Sequence, residues 1–366
     1  MNIQIRLMND NEAEQVNAVY NNTNGNVRPL DYFEWEFLNG PWGKAIYVLA
    51  VDLDKNENNI IGTQSAIPFI FIDGIGNKIL TAKSEDTYVH PEYRGHKLFD
   101  KMYELLFSEC KRAGIKYIWG FTYARKPFLK LGFQIPFETL QGIYVTKPKK
   151  AYKYLSSLNN ENKLLNNFKI IGLCYYNWIN VLIKNVFGKI GKNIPELKFG
   201  ICSNKKLLIN SVLNESQNLW GIDQTDEYLK WRIINNPYPN NFLENYLSGK
   251  DNIDCIANFL FNIRPEGFIY LEEILFINYE SPKKNSLLVR LALQKIKLVN
   301  QQPIFRFWGF NTNKITTSEI SILKRAGFTF IKKGTAFVWK DLENNNNLII
   351  EPDNIILSRL YTQGNR

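Results

Sequence analysis

The sequence predicts a mixed α+β fold: two similar domains in tandem, each a mostly antiparallel mixed sheet flanked by helices. Three observations carry this. Several segments of β-branched and aromatic residues follow one another between residues 45 and 89, separated by polar loops, as in an antiparallel meander. The last of them runs through a basic, glycine-containing turn into a helix-spaced apolar pattern at Leu98, Phe99, Met102, Leu105 and Leu106. Landmarks in the first half also recur in the second. DEYLKWRIINNPYP mirrors LDYFEWEFLNGPWG, with Trp35 and Trp231, and Pro41 and Pro237, each 196 residues apart. Trp119-Gly120-Phe121 recurs as Trp308-Gly309-Phe310 at 189, and the Gly-Phe ending at Phe133 recurs at Phe328 at 195. Near-constant offsets indicate an internal duplication.

Each element has its local reason. Ile3–Leu7 alternates apolar and polar residues as a strand does. Asn9-Asp10 caps a helix from about Glu12 to Tyr20. In Arg28–Gly43, the spacing of Leu30, Phe33, Trp35, Phe37 and Leu38 gives a short amphipathic helix that Gly40-Pro41 stops. Ala45–Leu53 and Ile60–Phe71 are strands, and Ile79–Val89 continues the sheet. Pro91 ends that strand because it has no N–H to donate. The helix that follows ends at Gly114, and Ile115–Phe121 is a buried strand. The sequence thus divides into a first domain over 1–146, a helical linker over 147–205, a second domain over 206–342 and a tail over 343–366. In the linker, Phe168–Ile190 is apolar and aromatic but broken by Lys169, Asn177, Asn180, Lys184 and Asn185. Packing against the protein is the first expectation for it. An interfacial helix with Tyr175, Tyr176 and Trp178 at lipid headgroups is the second. After the NNNN run the tail is expected to dock as a strand and a short helix.

Composition narrows the class. The chain has 366 residues, 45% of them hydrophobic and 14% aromatic, which excludes global disorder. Its net charge of +10 suits phosphate-bearing partners, but no long basic run points to nucleic acid. Cys110, Cys174, Cys202 and Cys255 are widely separated and form no CxxC, so neither a zinc site nor a disulfide framework is expected. With no apolar leader at the start and no run of apolar residues long enough to span a bilayer, a cytoplasmic location is expected.

The chemistry concentrates in EDTYVHPEYRGHKLF, Glu85–Phe99. A strand, a basic turn and a helix start aim backbone N–H groups at one point, which suits phosphate. These residues resemble the acyl-CoA signature of the GNAT acetyltransferase superfamily: an apolar strand, Pro-x-Tyr-Arg-Gly-x-Gly and a helix. The match is Val89, Pro91, Tyr93, Arg94, Gly95, Leu98 and Phe99, and Lys97 replaces the second glycine. The resemblance implies acetyl-CoA or another acyl-CoA as co-substrate, held by Thr87, Tyr88, Val89, Arg94, Gly95, His96, Lys97, Leu98 and Phe99, with no metal. TYARKPFLKLGF resembles the family's next element, but Phe128 stands where relatives often carry an acid tyrosine, leaving Tyr123 as the nearest replacement.

The resemblance further implies direct transfer of the acyl group to an amine, with a backbone N–H near Tyr88 or Val89 polarising the carbonyl. A base must take the ammonium proton. Glu85 and Asp86 are the candidates, on opposite faces of the strand by its period of two. Similar tandem proteins with WxFLxxP and PEYRG layouts are associated with cell-surface polysaccharide synthesis, so the resemblance implies a small-molecule amine or a nucleotide-linked amino sugar as acceptor. Two alternatives stay open: a FemABX-like transferase using aminoacyl-tRNA, and a non-catalytic binding protein. In the second half, Ile277–Leu293 has no Arg-Gly turn but retains Lys283 and Lys284, so the second domain is expected to be degenerate.

Overall fold

The computed structural model describes residues 2–24, 27–55, 59–157, 164–187, 197–199, 213, 218–238, 241–248, 255–276, 282–310, 315–344, 348–351 and 353–361. In chain order the elements are β1 (Ile3–Leu7), α1 (Ala13–Asn24), α2 (Leu30–Phe33), β2 (Ile46–Asp52), β3 (Ile60–Asp73), β4 (Lys78–Val89), α3 (Leu98–Arg112), β5 (Tyr117–Thr122), α4 (Arg125–Lys130) and β6 (Gln134–Val145). They continue with α5 (Pro148–Ser157), α6 (Leu164–Phe187), β7 (Lys198–Phe199), β8 (Trp220–Ile222), α7 (Asp226–Leu229), β9 (Asn241–Ser248), β10 (Cys255–Arg264), β11 (Phe268–Phe276), α8 (Pro282–Val299), β12 (Ile304–Phe310), α9 (Ile315–Ala326), β13 (Thr329–Asp341) and β14 (Ile355–Ile356). The fold is mixed α/β, built on mixed sheets flanked by helices.

The chain forms two compact units, and neither is contiguous. The first comprises Met1–Pro136, Trp220–Tyr238 and Thr335–Glu351; the second comprises Phe137–Leu219, Pro239–Gly334 and Pro352–Arg366. This differs from the linear division at 146, 205 and 342. β6 starts in the first unit and finishes in the second, and β13 does the reverse. Local sequence pattern carries no record of such an exchange, because each strand reads the same whichever sheet receives it.

In the first unit β1, β2, β3 and β4 pair antiparallel in sequence order. β4 then pairs parallel with β5, and Ala336–Asp341 of β13 closes antiparallel on β5. A parallel neighbour needs a crossover, which α3 supplies. Its apolar stripe (Leu98, Met102, Leu106 and Cys110) packs on Val48, Ala50, Ile61, Ile118 and Val338. Gly114 ends the helix at φ +77°, as the sequence predicts. The 28–43 stretch is less regular than a simple amphipathic helix: one α turn, α2, runs into a π-helical turn over Glu34–Leu38. The mirrored stretch does the same, α7 followed by a π turn over Lys230–Ile234. The two meet inside this unit. The indole rings of Trp35 and Trp231 stack 4.7 Å apart, and each Nε1–H donates to the other's carbonyl, at 3.0 and 2.9 Å.

In the second unit β9, β10 and β11 pair antiparallel, β11 and β12 parallel, and β12 and β6 antiparallel. The core lies under α8, whose Val289, Ala292, Leu293 and Ile296 meet Phe259, Phe261, Phe305 and Phe307. Lys283 and Lys284 stand exposed in the first turn of α8, while residues 277–281 lie outside the described residues. The tail contains β14 and a 3-10 turn, Arg359–Tyr361; of the asparagine run, 345–347 lie outside the described residues, as does Cys202.

Candidate active site

β4 and β5 are hydrogen-bonded only over three rungs, Thr81–Lys83 against Tyr117–Trp119. Beyond them β4 continues to Val89 and β5 to Thr122 with no further pairing between them. Two parallel strands that stop pairing leave backbone donors and acceptors facing an opening. The cause is a β-bulge. Between β3 and β4 the register shifts where Thr63 faces Tyr88 and Ser65 faces Glu85. Asp86 takes up the extra residue at φ +49°, a conformation aspartate tolerates better than most side chains.

Side chains hold the bulge from both sides. Ser65 Oγ donates to Glu85 O at 2.9 Å, and Thr63 Oγ1 to Asp86 O at 2.7 Å. The Asp86 carboxylate accepts from Arg28 Nη1 at 2.8 Å and from the Tyr47 hydroxyl at 3.0 Å. Both side chains of the ion pair are 2% exposed. Arg28 is itself braced: its Nε donates to Asn17 Oδ1 at 2.7 Å, and its guanidinium lies 4.0 Å from the Tyr20 ring centroid. Burial, and then the charge of Asp86, hold the Tyr47 phenol well above its ordinary value.

The turn after β4 is equally constrained. His90 N donates to Ile61 O at 2.8 Å, so by alternation the peptide groups of Val89 point away from β3, into the opening. In keeping with this, Val89 O accepts from Arg94 Nε at 3.4 Å. Tyr93 is buried and its hydroxyl donates to Asp52 Oδ2 at 2.5 Å, which pins the turn to the end of β2. Gly95 sits at φ +92°, with nothing within 4 Å of where a Cβ would be. Lys97, in the place of the second glycine, has a left-handed backbone at φ +58° and is the N-cap of α3. It makes no side-chain cap, so the N–H groups of Leu98, Phe99 and Asp100 have no intrahelical acceptor and no capping side chain. Arg94, His96 and Lys97 are exposed beside them. An acyl-CoA pyrophosphate fits this donor set: free helix-start amides, an uncrowded glycine and two cations.

The structure brings most of the expected residues to one end of β4, with one change of geometry. Strict alternation places Glu85 and Asp86 on opposite faces, but the bulge turns both toward the side covered by residues 28–38. Asp86 meets Arg28, which lies over the Phe33 and Phe37 rings. Glu85 pairs with the buried Lys83, which also feels Glu36 and Arg232. Burial lowers the Lys83 ammonium below its ordinary value, opposed first by Glu85. The Glu85 side chain stays 19% exposed, whereas Asp86 is sealed. Thr87 donates to Gln64 Oε1 at 2.5 Å; Gln64 Nε2 donates to Ser84 Oγ at 3.0 Å, and Ser84 meets the Tyr103 hydroxyl at 2.7 Å. Burial pushes the Tyr103 phenol up. Tyr88 and Val89 are half-buried, and Tyr123 lies on the loop after β5, 70% exposed. Phe128 is buried against Phe99, Tyr103 and Phe133, as packing. Sequence reasoning missed Arg28, Tyr47, Gln64 and Lys83. Only Lys83 leaves a trace in the sequence, two residues from Glu85 on the same strand face. Among the described residues, no group of three or more His, Cys, Asp or Glu side chains is placed to hold a metal.

Residues 4–135 match the family model described as acetyltransferase (GNAT) domain. No curated protein sequence matches the chain. Among solved structures, the chain is similar to a conserved protein of unknown function from Enterococcus faecalis V583 described as a probable N-acyltransferase, at 12% identity and TM-score 0.61 over 94% of this chain and 73% of that one. It is similar to a GCN5-related N-acetyltransferase from Anabaena variabilis at 9% identity and TM-score 0.58, over 93% and 73%. It is also similar to N-myristoyltransferase from Saccharomyces cerevisiae at 12% identity and TM-score 0.58, over 97% and 86%. At these identities the structures speak to fold, and the sequence match speaks to one region: residues 4–135 carry a GNAT domain.

Proposed function

We propose that this protein transfers an acyl group, acetyl in the first instance, from an acyl-CoA to a primary amine, with an amino sugar as the acceptor class. The carrying observation is the opening between β4 and β5, which ends at an uncapped helix start flanked by Arg94 and Lys97. The bound acyl-CoA supplies the electrophilic thioester, so the chain needs no nucleophile of its own. Arg94, Gly95, His96, Lys97, Leu98 and Phe99 receive the pyrophosphate. Thr87, Tyr88 and Val89 line the opening, and the Val89 N–H polarises the acyl carbonyl, an effect typically worth about 3 kcal/mol per donor in acyl transfer. Glu85 receives the ammonium proton, because its carboxylate reaches the surface while that of Asp86 is committed to Arg28. Asp86 acts through the strand, holding the bulge that aims Val89. Tyr123 is the exposed hydroxyl nearest the end of β5 for protonating the leaving thiolate. The sugar assignment rests on the resemblance of the WxFLxxP and PEYRG layout.

Calorimetric titration of acetyl-CoA tests the reading. Micromolar binding is expected in the wild type, weakened at least about tenfold in Arg94→Glu, since a charge-assisted phosphate contact becomes a repulsion. Absence of binding at millimolar acetyl-CoA overturns it.

A further inference from the structure

α6 carries apolar residues on two faces. One face, with Cys174 and Val181, packs inward together with three asparagines. Asn177 is fully buried: its Nδ2 donates to Ile143 O at 3.2 Å, Gly327 O at 3.0 Å and Thr329 Oγ1 at 2.8 Å, and its Oδ1 accepts from Val145 N at 2.6 Å. Asn180 reaches Gly327 O at 3.4 Å and Asn185 reaches the Tyr144 hydroxyl at 3.5 Å. The asparagines among the interruptions that argue in sequence against a bilayer span are thus the glue between α6 and its own unit. A second set of apolar residues points outward. Phe168, Tyr175, Tyr176, Ile179, Leu182, Ile183 and Val186 are each between 43% and 65% exposed. At 3.6 residues per turn they fall in one sector, opposite Cys174, Asn177 and Val181. An apolar stripe from Phe168 to Val186, about 27 Å along the helix, is an exposed patch of the kind that marks an interaction surface.

Charge selects the occupant. From Lys163 to Pro195 the sequence carries five lysines and no acidic residue. Lys169 is exposed at the margin of the stripe. A second copy of the same face would set lysines against lysines, whereas anionic headgroups would neutralise them. Tyr175 and Tyr176 lie toward opposite margins of the stripe, where a phenol has its ring in the apolar layer and its hydroxyl among headgroups. No described helix is long and apolar enough to cross a membrane, so the helix would lie on one. We propose that the outward face of α6 docks on an anionic membrane surface, with the helix in the headgroup plane. This surface is independent of the acyl-transfer reading.

The test is co-sedimentation of the full chain with phosphatidylcholine vesicles containing about a third phosphatidylglycerol, beside pure phosphatidylcholine vesicles, with sedimentation velocity run without lipid. The expected result is pelleting with the anionic vesicles, falling to background with pure phosphatidylcholine, at about 0.5 M salt, and in the double variant Ile179→Glu, Ile183→Glu. Both residues point outward, so the variant is expected to keep the wild-type circular dichroism; Lys169→Glu, outside the stripe, is expected to weaken binding several-fold and guards against a misfolded double variant. Pelleting that is absent, indifferent to phosphatidylglycerol, or unchanged in these variants overturns the proposal. So does a wild-type dimer that the double variant abolishes, which would give the face to a second copy.

Discussion

Asp86 meets two demands at once. It accepts a left-handed backbone at φ +49°, and its carboxylate is the ionic partner of a sealed arginine, Arg28. Asparagine meets the first demand as well and fails the second. Asp86→Asn is therefore expected to leave a buried guanidinium without its counter-charge, at about 3–5 kcal/mol of stability, read as a lower urea midpoint. The same variant is expected to weaken acetyl-CoA binding, because the bulge that aims Val89 loses its anchor. Glu85 behaves differently: partly exposed and paired with Lys83, it is separated from Asp86 in role by burial, although both are carboxylates on adjacent residues.

At the scale of the element, the start of α3 shows why a glycine was expected and how a lysine serves. The turn requires a left-handed residue immediately before the helix, and Lys97 supplies it at φ +58°. A side chain there costs about 1–2 kcal/mol relative to a residue without a Cβ. Lys97→Gly is accordingly expected to stabilise the protein by about 1 kcal/mol, net of the freedom glycine adds to the unfolded chain, and to weaken acetyl-CoA binding through the lost cation. Denaturation and calorimetry on one preparation separate the two effects. A variant that is both more stable and tighter-binding would show that the lysine charge does not reach the phosphates. The opening between β4 and β5 is also a property of an element: Gly120, one residue past the last paired rung, sits where an added Cβ would come 3.2 Å from Ser84 O, so a side chain there would crowd β4 where the strands begin to part.

At the scale of the molecule, the first compact unit is assembled from three stretches of chain. Trp35 stacks on Trp231, Phe71 pairs across to Ile222, and β5 is closed by Ala336–Asp341, with Tyr117 stacked on Trp339 at 4.8 Å. A fragment ending at residue 146 would expose all these faces. Such a fragment, although it contains the whole GNAT match, is expected to be insoluble or to lack a cooperative thermal transition by circular dichroism. A soluble, cooperatively folding, acetyl-CoA-binding fragment would show instead that the later stretches are dispensable.

Much was determined by the sequence alone. The spacing at Leu98, Met102 and Leu106, the Pro91 stop and the Arg94-Gly95 turn place the strand, turn and helix of the phosphate-facing site, because capping, periodicity and turn chemistry act over a few residues. The repeated Trp35 and Trp231 segments were legible for the same reason, and they fold alike. Only the tertiary structure decided that Asp86 bulges onto the face of Glu85, since the bulge depends on Thr63, Ser65 and Arg28, brought in from other elements. It alone decided that β6 and β13 pass between units, and that the asparagines of α6 point inward while Tyr176, Ile179 and Ile183 point out. A periodicity reports that a helix has two faces; which face meets the protein is settled by the donors and acceptors that wait there, at Ile143, Val145 and Gly327.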